Sequence, residues 1–229
     1  MTTAPTIITG PTLSALATIP DASAAAAVAL VPVNALRMKP NSKGNTGAVP
    51  IRWADIDPVI EQLGRIVRGP LAMMVIQESR TWIDAFTRHG FTTQHQTDDH
   101  DLVDLIVAHR GEPVTLPPAD TQAMRPLIHA VIDAVSKPGD MILAPFALVP
   151  MVPLAIHAAG RRLTAVVPAT THARALINEF NSDGNGITLT DEERAHVLAR
   201  VAAGESRTGI ARSMGVNADL VHKVVRRAA

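Results

Sequence analysis

Short apolar runs alternate with amphipathic helical stretches along the first 180 residues of the chain. Runs of apolar residues without charge predict buried strands, and apolar residues every three or four positions predict helices. The predicted strands are 24–33, 71–76, 102–108, 141–143 and 163–167. The predicted helices span 81–89, 127–135 and 152–159. A further helix is predicted to begin at Asp57-Pro58, with Asp57 as its cap. Strands alternating with helices of about ten residues indicate an α/β fold with a mainly parallel sheet.

The pattern changes near residue 181. Residues 181–188 begin with a run of turn formers, Asn-Ser-Asp-Gly-Asn-Gly, which is typical of a linker. Three helices are predicted after it: one that begins with a capping box at Thr190 and stops at Gly204, one capped by Ser206, and one from Asn217 to Arg227. We therefore expect an α/β domain over 1–180, a linker over 181–188 and a small all-α domain over 189–229.

Composition excludes several classes of protein. Of the 229 residues, 47% are hydrophobic, so the chain can bury a core, and none is cysteine, which excludes disulfides and thiolate metal sites. The first 36 residues carry no Lys or Arg, so we expect no signal peptide. The uncharged stretch 141–160 contains three prolines, which argues against a membrane span. The expected location is the cytoplasm, in association with the nucleoid.

The C-terminal segment shows helix-turn-helix spacing. Ile210, Val221 and Val224 are spaced to form a small core, Ala211 allows two helices to cross closely, and Gly215 permits a left-handed turn. Residues 189–227 resemble the DNA-binding domain of resolvase/invertase recombinases. Although the whole chain has no net charge, residues 206–229 carry five cations and one anion, as phosphate contacts require. The candidate DNA-binding residues are Arg207, Thr208, Asn217, Ala218, Asp219, His222, Lys223, Arg226 and Arg227.

An interpretation without DNA binding also exists for this segment. A three-helix module that binds another protein would have the same small core. The local positive charge favours double-stranded DNA as the partner.

The first 180 residues contain a second resemblance, carried by the order of several short pieces. Arg125-Pro126-Leu127 is followed by Lys-Pro-Gly-Asp-Met-Ile-Leu-Ala-Pro-Phe at 137–146 and by Ala-Ala-Gly-Arg-Arg at 158–162, and the N-terminal piece is Ile-Ile-Thr-Gly at 7–10. In this order they resemble DNA methyltransferases that modify the exocyclic amine of adenine or cytosine. The resemblance implies a Rossmann-like sheet domain that binds S-adenosylmethionine and receives a flipped base.

The positions that carry chemistry in that family are occupied here by apolar residues or proline. The catalytic tetrapeptide, with its polar first residue and aromatic last residue, would fall on 30–33. The glycine-rich cofactor loop would fall on 144–150, and the acid that holds the ribose would fall on Val167. The candidate degenerate positions are Leu30, Val31, Pro32, Val33, Ala144, Leu148, Pro150 and Val167.

Two further groups of polar residues can be explained by structural roles alone. A polar cluster before the predicted strand at Leu102 could bind a divalent metal, but a solvated turn explains it as well; its members are His95, Asp98, Asp99, His100, Asp101 and Asp104. His129 and His157 lie on apolar helices and are expected to be core or interface histidines. We expect no metal site.

These observations together favour a bacterial or phage-type transcriptional regulator. The helix-turn-helix would read an operator, and the α/β domain would be a catalytically inactive scaffold for a homodimer or a protein partner, without a cofactor. Two alternatives stay open: an active S-adenosylmethionine-dependent DNA methyltransferase with an unusual pocket, and a non-catalytic partner or inhibitor of a methyltransferase.

Overall fold

A seven-stranded sheet organises the larger part of the chain. The computed structural model describes residues 4–31, 55–75, 79–97, 103–118, 124–148, 150–182, 191–214, 221–222 and 224–226. The strand order is β1-β7-β6-β2-β3-β5-β4. The strands are β1 (Thr6–Thr9), β2 (Ala26–Val31), β3 (Leu71–Val75), β4 (Thr92–Thr97), β5 (Asp104–His109), β6 (Met141–Ala144) and β7 (Arg162–Val167).

Eight helices connect or follow these strands within the described ranges. They are α1 (Thr12–Ala17), α2 (Ile56–Ile66), α3 (Ser79–Arg88), α4 (Met124–Val135), α5 (Met151–Ala158), α6 (Thr170–Ser182), α7 (Asp191–Ala202) and α8 (Arg207–Met214). Helix α2 packs against α1 and α3, while α4 packs against α5. The predicted α/β class is confirmed by this alternation of strands and helices.

The central strands are buried, as their uncharged sequences predict. Every residue of β2 and β3 is buried, because strands covered on both faces by helices must be apolar throughout. Strands β1, β7, β6, β2 and β3 are parallel, whereas β5 runs antiparallel to β3 and to β4. The antiparallel β5 brings its first residue, Asp104, opposite Val75, the last residue of β3.

Two details of the sequence prediction are corrected by the structure. Helix α2 begins at Ile56 after Asp55, so Asp57 lies in its first turn and is not the cap. Strand β4 was not predicted from apolar residues, since its sequence, Thr-Thr-Gln-His-Gln-Thr, is polar and half exposed at the edge of the sheet. An edge strand has only one neighbour and tolerates such a sequence.

The chain divides into two compact units, residues 1–173 and 174–229. In the second unit a small apolar cluster joins Val197 of α7 and Ile210 and Ala211 of α8 to Val221. Residues 221–222 and 224–226 are helical. No helix among the described residues is both long and apolar enough to cross a membrane.

Candidate functional site

The order of the strands creates a cleft at the carboxyl ends of the parallel strands. From β6 the chain continues to β7 on one side, and from its neighbour β2 it continues to β3 on the other side. At such a switch point the two connections leave in opposite directions, so a crevice opens outside the carboxyl ends of the two strands. This edge, here called the carboxyl edge, is formed by the ends of β1, β7, β6, β2 and β3 and is the candidate site.

The loop after β6 lines the cleft with apolar side chains. Ala144 ends β6, and Phe146 and Ala147 are buried, at 4% exposure each. The Ala147 N–H donates to the Val166 carbonyl at 2.9 Å, which ties the loop to β7. Leu148 and Pro150 are only half buried at the start of α5. The two positions where glycine was expected therefore present an apolar surface at the mouth of the cleft.

Phe146 also connects this loop to the other side of the cleft. Its ring meets Trp82 of α3 edge-on, with centroids 6.1 Å apart. Trp82 is fully buried, and its ring centroid lies 6.5 Å from that of Phe86. Aromatic pairs in this geometry add to the stabilisation from buried area, so the loop is held in place from α3.

The end of β7 has no acid but has polar groups nearby. Val167 is fully buried, and its carbonyl accepts the Gly10 N–H at 3.0 Å. Valine also has no side-chain hydrogen-bond acceptor, so Val167 cannot hold the ribose hydroxyls as the expected acid would. Three to five residues later, Thr170 is exposed, and the Nδ1 atom of His172 is buried with no hydrogen-bond partner among the described residues. Sequence reasoning missed His172, although the run Thr-Thr-His after a strand end was a signal.

The structure describes only the first two residues of the expected catalytic tetrapeptide, which lie at the end of β2. Leu30 lies inside β2, where it pairs with Met74, and Val31 ends the strand opposite Val75. Both are buried, at 8% and 3% exposure. Pro32 and Val33 lie outside the described residues. A side chain at position 30 therefore belongs to the sheet itself and not to the loop beyond it.

A hydrogen-bonded cluster lies farther along the same edge. The Asp104 carboxylate accepts hydrogen bonds from the Thr97 hydroxyl at 2.8 Å and from His95 Nε2 at 2.9 Å. Burial raises the pKa of Asp104, but hydrogen bonds from Thr97, Ser79 and His95 outweigh it, and the pKa lies below its ordinary value.

This cluster joins two of the residues that sequence reasoning considered for a metal. Asp98, Asp99, His100 and Asp101 lie outside the described residues. Within the described ranges, no three His, Asp or Glu side chains group as a metal site requires. Of the two helix histidines, His157 is buried at 7% exposure, whereas His129 is exposed.

The second unit contains the predicted DNA-binding residues that the structure describes. Arg207, Thr208 and Arg226 are exposed, and His222 is half buried. Ser206 caps α8, since its hydroxyl accepts the Gly209 N–H at 3.1 Å. Asn217, Ala218, Asp219, Lys223 and Arg227 lie outside the described residues. The structure brings Arg207 and His222 together, because a guanidinium N–H of Arg207 donates to His222 Nδ1 at 3.0 Å.

No protein-family model and no curated protein matches the sequence, whereas solved structures do. TTHA0409 of Thermus thermophilus, a candidate DNA modification methylase solved with S-adenosyl-L-methionine, is similar over 82% of this chain and 99% of its own, with a TM-score of 0.63 and 15% identity. The cytosine-N4-specific PvuII DNA methyltransferase is similar over 90% of this chain and 95% of its own, with a TM-score of 0.58 and 12% identity.

A third similar structure is the M1.HpyAVI–SAM complex, which covers 77% of this chain and 98% of its own at a TM-score of 0.52 and 11% identity. The prediction that the chain is not an enzyme is wrong, because its structural matches are DNA methyltransferases and two were solved with the methyl donor bound. The predicted Rossmann-like sheet domain is confirmed: the chain has the α/β fold of DNA methyltransferases.

Proposed function

We propose that this protein is an S-adenosylmethionine-dependent methyltransferase that acts on DNA, with a cofactor pocket of unusual composition. The observation that carries the proposal is the cleft between β6 and β2, in a sheet whose fold is shared with proteins solved with the methyl donor. Fold alone does not determine chemistry, so the residues at the cleft must also suit the donor.

The described residues fit S-adenosylmethionine through an apolar wall and an unpaired polar atom. Leu148, half buried after β6, would offer apolar surface to the adenine ring and the methionine chain. The buried Nδ1 of His172 has no partner among the described residues, and an unpaired buried polar atom costs about 1–3 kcal/mol unless a ligand satisfies it. His172, with Thr170, would meet the ribose hydroxyls in place of the acid expected at Val167.

The remaining chain residues would act by binding and by excluding water. S-adenosylmethionine supplies an electrophilic methyl group when it is bound. The buried ends of β2 and β6 keep water from the cleft, which strengthens every polar contact made inside it. Phe146, fixed against Trp82, keeps the loop after β6 in one position on binding.

The second unit would hold the duplex. Its exposed Arg207 and Arg226 belong to a segment with five cations and one anion, and a helix of this unit would enter the major groove. A homodimer would double these contacts. If the same unit recognises one sequence, the protein would also act on a defined set of sites, as an operator-binding regulator does.

The test combines binding and transfer by the full chain. Calorimetry with S-adenosylmethionine should show one site, with ATP as the control ligand that shares adenosine but lacks the methionine chain. Radiolabelled methyl groups should then enter unmethylated genomic DNA. Calorimetry without binding, or binding without transfer to DNA, would contradict the proposal.

A pair of variants locates the site. Leu148→Trp should close the mouth of the cleft and weaken S-adenosylmethionine binding at least about tenfold, since a larger side chain occupies the ligand's space. The matched control is Ile177→Trp, at a position of α6 that is 43% exposed, and it should bind as the wild type does. Equal affinities for the two variants would remove Leu148 from the site.

A further inference from the structure

The contact between Arg207 and His222 joins two helical segments of the second unit. Arg207 is the first residue of α8, and His222 lies in the helical segment that contains Val221. A guanidinium N–H of Arg207 donates to His222 Nδ1 at 3.0 Å. The neighbouring Val221 is fully buried in the cluster with Ile210 and Ala211, so the backbone that carries His222 is fixed by the core.

The chemistry of the pair determines which ring nitrogen carries the proton. Arginine only donates hydrogen bonds, so Nδ1 of His222 must be the acceptor. A neutral imidazole then carries its hydrogen on Nε2. The pair therefore offers the remaining N–H groups of a charged guanidinium beside a neutral N–H donor.

The nearest acid in the sequence is already occupied. Glu205 accepts from Arg200 Nε at 2.7 Å, and this hydrogen bond lowers the pKa of Glu205. The Glu205 carboxylate therefore already has Arg200 as its cation partner. Gly209 contributes as well, since a Cβ there would lie 2.9 Å from the Ser206 hydroxyl that caps α8, and the cap sets the position of Arg207.

We propose that Arg207 and His222 form one phosphate-contact unit for duplex DNA. Arg207 contacts a backbone phosphate, and His222 is the positioning residue that orients its guanidinium. The proposal rests on the proposed DNA-directed function. It gives His222 a role other than base reading, and it predicts an effect that does not depend on base sequence, since phosphate contacts carry no sequence information.

The experiment measures binding of the full chain to a labelled duplex of random sequence, about 30 base pairs long, at several salt concentrations. Arg207→Ala should weaken binding about tenfold and lower the slope of log affinity against log salt by about one. His222→Ala should weaken binding by about threefold to tenfold in the wild type and hardly at all in the Arg207→Ala background.

The matched control is Thr208→Ala, which alters the neighbouring exposed residue of α8. Its effect should add to that of His222→Ala, because the two side chains share no contact in the described structure. Additive losses for Arg207→Ala and His222→Ala, or an unchanged salt slope in Arg207→Ala, would overturn the inference while leaving DNA binding intact. A wild-type protein that binds no duplex would instead overturn the DNA-binding part of the proposed function.

Discussion

Helix ends are capped differently at the two ends of the parallel strands. At the edge where the parallel strands begin, three arginines hold main-chain carbonyls at or just beyond the carboxyl ends of five helices. Arg65 donates to Leu16 and Ile19, Arg110 to Gly64 and His89, and Arg161 to Ser136 and Ala159. Helix carboxyl ends leave carbonyls without partners, and cations there also interact favourably with the helix dipole.

At the carboxyl edge, helix amino ends are left open. Pro11 and Pro150 stand at the cap positions of α1 and α5, and neither helix has a side-chain cap among the described residues. Proline has no side-chain acceptor, so Pro150 gives the first N–H groups of α5 no side-chain cap. Arginine side chains therefore cap helices where the parallel strands begin, whereas proline stands at the cap positions of α1 and α5 at the carboxyl edge.

The largest effect is expected at the stabilised edge. Arg161 is 5% exposed and donates to two carbonyls at 2.7 and 3.0 Å. Arg161→Met keeps the apolar stem but removes the donor to these part-buried carbonyls and the ion pair with Asp133 at 2.8 Å, so we expect a loss of about 3 kcal/mol of unfolding free energy. Urea denaturation monitored by circular dichroism measures this loss.

The neighbouring arginine provides the control. Arg162 is exposed and donates to the Gly139 carbonyl at 3.0 Å. Arg162→Met should cost less than about 1 kcal/mol, because solvent replaces an exposed partner. If the two variants lost equal stability, burial of the cap would not be what stabilises this edge.

The sequence predicted the scaffold better than the chemistry. Uncharged apolar runs predicted β2 and β3 because both faces of these strands are covered. Strand β4 has no such pattern: its Gln94 and Gln96 side chains instead hold the backbone of Val114 and Pro117. Those partners lie about 20 residues away, so no local pattern could reveal them.

The candidate site shows the same limit. Matching residues to family positions pointed to Val167, whose side chain is buried inside the sheet. His172, five residues later, has the unpaired nitrogen, but burial and missing partners are properties of the folded chain. The sequence order of motifs was enough to predict the methyltransferase-like sheet. The inference that the protein is not an enzyme was drawn from apolar residues at single positions, and the similarity of the whole fold to DNA methyltransferases contradicts it.

An intermediate effect is expected at the open edge. His172→Ala should weaken S-adenosylmethionine binding about tenfold, as the loss of a buried hydrogen bond would, while unfolding free energy in the absence of ligand stays equal or rises slightly. The rise is expected because the unpaired Nδ1 is removed. Calorimetry measures affinity, and urea denaturation without ligand measures stability.

The control for this variant is the same substitution at an exposed histidine. His129→Ala on α4 should leave both quantities unchanged. If His172→Ala loses stability but keeps its affinity for S-adenosylmethionine, the histidine belongs to the core. The residues that follow β7 would then not be part of the candidate site.

The smallest effect concerns the acid at the carboxyl edge. Since the pKa of Asp104 in the folded protein lies below its ordinary value of 3.8, its charged form stabilises the fold above that value. This stabilisation is lost as the pH falls from the ordinary value through the lower folded pKa. Asp104→Asn should therefore destabilise the protein modestly at neutral pH, and the difference from the wild type should shrink as the pH falls below about 4.

Unfolding free energies measured by urea at several pH values test this dependence. Asp84→Asn, at an exposed position of α3, is the control and should change stability by less than about 0.5 kcal/mol. A loss in Asp104→Asn that persists undiminished in acid would mean that shape rather than charge matters at this position. In the expected case, the charge of Asp104 stabilises the fold through its hydrogen bonds with Thr97, Ser79 and His95.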